Sequence, residues 1–456
     1  MNVVDALAGL SGVEGVRWLL EGDEPQAALR RALGGLLTDL ALLGACRLYR
    51  AKSKPGRYLT AYYEISVRGA PSDAEQRRHV EAVWLPPGTA DPRGAPEDIA
   101  RMQEEVAELG LLAPFRALVA NDPSWGLWLQ VSPLDAEYPQ LARLSSPPHV
   151  RALLSALPEL GAPPGDYTVE VVRYRPGQRH VLRYRPAGAP PDAALYAKVY
   201  SSDKGTRIFS TVRRVVEWLA ADDAPISAVQ PAAYLPEEQV ALYRHVAGRP
   251  LSELLHLPEA TEHLRLAGAG LRAIHRVPTD LVELRQHSLE KELQSIASAS
   301  EHLKTLLPEA GARVTRMLAR AQVLHERLPQ EAPGFAYGDF KADHVWITPD
   351  GMTLIDFDTC YLFDQAIDLG KFLADLWWWD DGAGGSGAGA ARSHFLEGYG
   401  PSPELLLRAR LYEVLVLTKS TARRVKLFDP AWAERTGRLV ALAEGLLSRL
   451  EAEVPG

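Results

Sequence analysis

Apolar residues recur at helical spacing between Glu24 and Leu43 (Leu29, Leu33, Leu36, Leu37, Leu40), which predicts an amphipathic helix there. The pattern then turns to alternation on either side of Pro55-Gly56, in CRLYRAKSKPGRYLTAYYEISV, and predicts a pair of strands followed by a third in HVEAVWL. Pro96 to Ala120 reads as a helix and Ser124 to Val131 as a strand. Proline-rich joints at Pro147-Pro148 and Pro163-Pro164 flank a short helix and mark a boundary.

At Tyr167 the alternation begins again. YTVEVVRYRPGQRHVLRYRP predicts a hairpin about Pro176-Gly177-Gln178, and a strand in ALYAKVY and a helix from Thr206 to Ala221 follow. Next come a strand in AVQPAAYL, a Pro-Glu-Glu turn and a strand in QVALYRHV. The segment AGRPLSELL leads into helices over Thr261 to His275, Leu289 to Leu306 and Gly311 to Leu328. A short apolar run at Val345 to Ile347, the turn Pro349-Asp350-Gly351 and a second apolar run predict another hairpin. Asp380 to Ala391 reads as a Gly/Ala-rich loop, and the remaining residues as mostly helical.

The two Pro-Gly hairpins echo each other. Lys54-Pro55-Gly56-Arg57 parallels Arg175-Pro176-Gly177-Gln178, and in that register Val83 of HVEAVWL stands where ALYAKVY has Lys198. A degenerate sheet at residues 46 to 90, used for contact or capping, and plain coincidence both account for this.

Candidate chemistry gathers in FAYGDFKADHVWITPDGMTLIDFDTCYLFDQAIDLGKFLADL, Phe335 to Leu376. Asp339 follows a glycine, Lys341 and His344 come after it, and the hairpin delivers Asp356 and Asp358 in Ile-Asp-Phe-Asp. Phosphoryl transfer needs a carboxylate to take or orient the hydroxyl proton. It also needs a cation facing the transferred group, and carboxylates for the metal that bridges the phosphates.

This spacing is that of the protein-kinase catalytic and metal loops, and the stretch resembles the aminoglycoside phosphotransferase family, small-molecule kinases on the protein-kinase-like fold. The resemblance implies Asp339 as catalytic base, Lys341 as the cation at the γ-phosphate, Asp356 as metal-binding Asp with Asp358 as a second ligand, and Asp368 of AIDLG as a loop brace. Lys198 would anchor the α- and β-phosphates. Pro176 and Gly177 stand where a Gly-rich loop would cover them, though with a single glycine a plain hairpin turn reads equally well. RHVAGRPL resembles the hinge between lobes, so adenine would meet backbone at Arg244 and Val246. Two positions depart from the family pattern: Tyr337 replaces His, and His344 replaces the metal-binding Asn. Imidazole is a poor Mg²⁺ ligand and suits later transition metals better, so the cofactors implied are ATP or GTP with Mg²⁺ or Mn²⁺.

The resemblance covers roughly residues 166 to 456. It implies an α+β, two-lobed protein-kinase-like fold, with a small antiparallel β N-lobe at 166–246, a mainly helical C-lobe at 247–456, and an α/β N-terminal extension at 1–165. The expected activity moves a γ-phosphate to a hydroxyl of a small molecule. Alternatives are a sugar or peptide Ser/Thr kinase of a biosynthetic pathway and a nucleotide-binding pseudokinase without turnover. The clamp glutamate that should hold Lys198 is missing: Glu217 falls opposite the apolar stripe of its helix, one turn from Arg213, and reads as solvated. Trp377-Trp378-Trp379 beside Asp380 and Asp381 reads either as an aromatic acceptor wall or as core packing.

Composition narrows the partners. The net charge of −8 makes nucleic acid an unexpected partner. Cys46 and Cys360, far apart, give neither a disulfide framework nor a zinc site, and free thiols in a reducing cytoplasm are expected. There is no basic leader before an apolar run and no run of about 20 apolar residues, so a cytoplasmic protein without a membrane span is expected.

Overall fold

The computed structural model describes residues 1–68, 75–86, 88–89, 96–161, 164–383 and 387–454. The joint expected at Pro163 lies outside them. Two compact units emerge: Met1–Thr206 with Pro231–His245 and Lys426–Trp432, and Arg207–Gln230 with Val246–Val425 and Ala433–Gly456. The fold is α+β.

The first unit holds two antiparallel sheets of five strands each. One runs in spatial order Leu43–Lys54, Tyr58–Arg68, Glu75–Trp84, Leu127–Val131, Val119–Asp122. The other runs Tyr167–Arg175, Arg179–Pro186, Leu195–Val199, Val240–Arg244, Ala233–Leu235. Alternation is plain in Arg179–Pro186, where His180, Leu182 and Tyr184 are buried and their neighbours half-exposed. Leu182 and Tyr184 pack with Tyr174, Ala197, Val199 and Leu242 into one core.

Several boundaries differ from expectation, each for a local reason. The first amphipathic helix stops at Leu36, not Leu43, because Leu37 leaves helical geometry to bridge Phe115 and Thr38 N donates to Pro114 O. The helix expected over 96–120 ends at Glu108, where Gly110 takes a left-handed φ of 72°. AVQPAAYL is not one strand. Pro231 interrupts it: Ser227–Ala228 pairs with Gly351–Leu354 in the second unit, and Ala233–Leu235 pairs with Val240–Arg244 in the first. The loop expected from Asp380 is helical at both ends, since Ala366–Ala383 is a single helix and Ala388 begins the next.

The second unit is mainly helical, with long helices at Ala260–Ile274, Pro308–Arg327, Ala366–Ala383 and Pro403–Arg424. The predicted hairpin is there: Val345–Thr348 pairs with Gly351–Leu354, closing on Thr348↔Gly351. Among the described residues no helix is long and apolar enough to cross a membrane, and both cysteines are free.

One buried ion pair in this unit ties stability to pH. Glu292, on the helix Leu289–Ala299, is 5% exposed and takes Lys419 at 2.8 Å and His287 at 3.3 Å. Burial works to raise its carboxyl, yet the His287 hydrogen bond and Lys419 outweigh it and bring the pKa to about 2. A depressed carboxyl stabilises the fold above its ordinary value near 4.5, and that contribution is lost as pH falls through about 2. Its ceiling is about 3 kcal/mol. The pair returns less than that, because burial shifts the Lys419 ammonium down despite Glu292. Glu292→Gln should therefore lose stability at pH 7 and show a flatter decline of denaturation midpoint between pH 5 and 2. Parallel declines in both proteins would remove Glu292 from this role.

Candidate active site

The loop Tyr337–His344 is built by one helix. Asp368, Lys371 and Asp375 lie at i, i+3 and i+7 on Ala366–Ala383, a spacing that puts all three on one face. Asp368 is fully buried. One of its oxygens accepts from Tyr337 N and the other from Gly338 N, both at 2.7 Å, and His275 Nε2 lies 3.2 Å away. Asp375 accepts from Ala342 N at 2.9 Å. The loop's amides are thus satisfied by carboxylates, which fixes its shape without regular structure. Gly338 is required on two counts: its φ is 82°, and a Cβ there would lie 2.6 Å from the Tyr361 ring.

Asp339 projects from this loop into a pair of ammonium groups. Lys341 Nζ is 2.8 Å from Oδ2 and Lys371 Nζ is 2.9 Å from Oδ1. Burial acts to raise its pKa, but the field of Lys371, His344 and Lys341 holds the carboxyl well below the usual range. It is ionised at neutral pH.

His344 stands between the two carboxylates. Its Nδ1 lies 3.5 Å from Asp339 Oδ2 and 3.2 Å from Tyr337 Oη, and its Nε2 lies 3.9 Å from Asp356 Oδ2. Burial, reinforced by Lys341, lowers its pKa to about 4, so the imidazole is neutral at pH 7. The cationic field on Asp339 then comes from the two lysines. Geometry also sets the tautomer. Tyr337 Oη is in close contact with Ile355 O and 2.8 Å from Asp356 O. Its single proton goes to those carbonyls, so toward Nδ1 it is an acceptor. Nδ1 therefore carries the proton, and Nε2 turns a lone pair toward the Asp356 carboxylate.

The two departures from the family pattern are thus in contact with each other: the tyrosine orients the histidine. The tyrosine also closes the turn that presents Asp356, whose φ of 68° is left-handed and strained for a residue with a Cβ.

A lone pair and a carboxylate facing each other suit a divalent cation that arrives with phosphate and water ligands of its own. Asp356 and His344 are the side chains that would hold it. Among the described residues, no group of three or more His, Cys, Asp or Glu side chains is arranged to hold a metal by itself.

The other expected residues fall as follows. Lys198 lies on Leu195–Val199, paired with Val181 on one side and Ala241 on the other, in the first unit. Arg244 ends the next strand opposite Leu195, and Val246 follows in the second unit. Pro176 and Gly177 form the turn closed by Arg175↔Arg179, with Gly177 at φ 66°. Gly177 N already donates to Asp135 Oδ2 at 2.9 Å, so that amide is committed within the protein. Glu217 is exposed and pairs with Arg213 at 3.8 Å, as its helix position implied.

The tryptophans are engaged by the protein's own charged groups. Trp378 is buried with Arg435 at 4.1 Å and Arg424 at 4.7 Å from its ring, and Trp377 Nε1 donates to Glu413 at 2.6 Å. Asp381 is taken by Arg435 at 2.8 Å. Their cations are the protein's own.

Lys371 and Asp375 escaped the sequence reading. The signal was present in the i, i+3, i+7 spacing from Asp368, once Ala366–Ala383 is taken as a helix reaching under the loop.

The family model of the phosphotransferase enzyme family (APH) matches residues 165–412. No curated protein matches the chain. Among solved structures, it is similar to a choline/ethanolamine kinase family protein from Mesorhizobium loti at 19% identity and a TM-score of 0.47, over 67% of this chain and 98% of that one. A mutant aminoglycoside 2′-phosphotransferase in complex with GDP is similar at 14% identity and a TM-score of 0.44, over 67% and 97%. An amicoumacin kinase in complex with AMP-PNP, Ca²⁺ and its ligand is similar at 15% identity and a TM-score of 0.41, over 60% and 88%.

Proposed function

This chain belongs to the phosphotransferase enzyme family, and we propose that it moves the γ-phosphate of ATP or GTP to a hydroxyl of a small molecule. The observation that carries this reading is Asp339, ionised between Lys341 and Lys371 and next to the facing pair His344 and Asp356. Asp339 orients the acceptor hydroxyl and takes its proton. Lys341, and Lys371 with it, place positive charge where the transferred group gathers negative charge. Asp356, with His344 or Asp358, would hold the divalent metal, which when bound would neutralise charge on the nucleotide phosphates. The donor set of one carboxylate and one imidazole favours Mn²⁺ over Mg²⁺ relative to an Asn-containing site. Lys198 anchors the α- and β-phosphates, Pro176 and Gly177 carry the hairpin over them, and Arg244 and Val246 meet the adenine through backbone. Residues 1–165, 166–246 and 247–456 serve as extension, nucleotide lobe and helical lobe.

The outward-facing Glu217 and the His344 substitution favour a second reading, a pseudokinase that binds nucleotide without turnover. Incubation with γ-labelled ATP or GTP, Mg²⁺ or Mn²⁺, and a panel of hydroxyl-bearing sugars, amino alcohols, aminoglycosides and Ser/Thr peptides separates these. Label is expected on a small molecule. Metal-dependent nucleotide binding with no transfer to any acceptor or to water would establish the pseudokinase instead.

A further inference from the structure

The two sheets of the first unit share one plan. Each is a three-strand meander, then a helix (Pro96–Glu108 or Lys204–Ala221), then a hairpin whose second strand pairs with the third strand of the meander, all antiparallel. The registers agree as well. Lys54↔Tyr58 and Arg175↔Arg179 each leave a three-residue Pro-Gly turn. Asp122↔Leu127 and Leu235↔Val240 each leave a four-residue turn led by proline. Counting from either turn, the cross-strand row Thr60–Val83–Trp128–Asn121 coincides with Val181–Lys198–Ala241–Tyr234. Two independent turns giving one register across four strands is more than two hairpins arising separately would supply.

Val83 replaces the phosphate lysine in the first sheet. It is 1% exposed and packs with Leu85 and Trp128, so an apolar cluster stands at the lysine's position. The row Thr60–Val83–Trp128–Asn121 holds no cation to meet a phosphate. The sheet has instead acquired contacts to its counterpart. The segment after its last strand, Ser132–Tyr138, occupies the place that His245 onward occupies in the second sheet, and it seats the tip of the hairpin Tyr167–Pro186. Asp135 Oδ2 accepts from Gly177 N at 2.9 Å and lies 2.6 Å from His180 Nε2. Tyr138 Oη donates to Gln178 O at 2.8 Å. From the sheet itself, Lys52 Nζ donates to Gln178 Oε1 at 3.1 Å and Gln130 Nε2 to Tyr174 Oη at 3.0 Å.

We propose that residues 43–131 are a second, degenerate copy of the nucleotide-lobe sheet, turned into a brace, and that Asp135 is a positioning residue that holds the phosphate hairpin. A kinase loop with three glycines is free to move. This hairpin has one, and the brace fixes its tip in place of that freedom. The catalytic consequence rests on the phosphotransfer reading above; the bracing does not.

The test uses the full chain with Asp135→Ala, and Tyr138→Phe in case the first variant fails to fold. Amide exchange at residues 175–180 should quicken about tenfold in Asp135→Ala, the loss expected for one hydrogen bond to a charged group. Calorimetric Kd for Mn²⁺-AMP-PNP should rise by a similar factor while kcat stays near wild type. Unchanged exchange overturns the brace. Faster exchange with an unchanged or tighter Kd overturns the positioning role, a tighter one making the contact an inhibitory clasp. A wild-type protein that binds the nucleotide but transfers no phosphate counts against the function alone, since exchange and Kd still decide the brace.

Discussion

Asp339→Asn should lower kcat by about 10²–10⁴-fold, the range associated with a positioned acid–base group, with nucleotide affinity preserved. Its carboxyl is held low by two lysines, so it is a weak base before the reaction begins. That fits a loose transition state, in which the acceptor hydroxyl loses its proton late and the carboxylate chiefly aims it. Asparagine keeps the shape and one acceptor oxygen but cannot take the proton. Alanine would also leave Lys341 and Lys371, both about four-fifths buried, close together without their shared counter-charge. Steady-state rates for the two substitutions, beside calorimetry with a non-hydrolysable nucleotide, check this. Full turnover in Asp339→Asn would remove the residue from the role.

Asp356→Ala should weaken metal-nucleotide binding by more than about 10–100-fold, the loss typical of groups that merely support a metal ligand. His344→Asn should do something different. It exchanges a nitrogen lone pair for a carbonyl oxygen, so affinity for the Mn²⁺ complex falls relative to the Mg²⁺ complex. Tyr337→Phe should move in the same direction and less far, because it frees the imidazole to adopt the other tautomer. Parallel titrations with the two metals read out all three. An unaltered metal preference in His344→Asn would place the imidazole outside the coordination sphere.

Much of this centre was legible in the chain because its chemistry is local. Asp339, Lys341 and His344 lie within one short loop, and the hairpin that carries the chain on to Asp356 is announced by Pro349-Asp350-Gly351. What failed to show was non-local. The ammonium at Asp339 Oδ1 comes from Lys371, thirty-two residues further along the sequence, on a helix whose exposed and buried faces are blurred by its apolar content. The tryptophan run invited a ligand-facing reading because sequence carries no sign of Arg424 and Arg435, which arrive from other helices to cover Trp378. In the sequence Tyr337 and His344 stand as two separate departures from the family pattern. Their contact at 3.2 Å makes them one paired change. The early helix was overrun for a simpler reason: Leu37 and Leu40 continue the helical spacing, but the backbone at Leu37 is drawn off by a bridge to Phe115.

A crystal structure with AMP-PNP and Mn²⁺, with the metal located by its anomalous signal, tests the central claim most directly. The account predicts manganese between Asp356 and His344 Nε2, the γ-phosphate facing Asp339, and Lys198 at the α- and β-phosphates. Manganese away from that pair, or a nucleotide whose phosphates meet neither Lys198 nor the Asp339 loop, would contradict it.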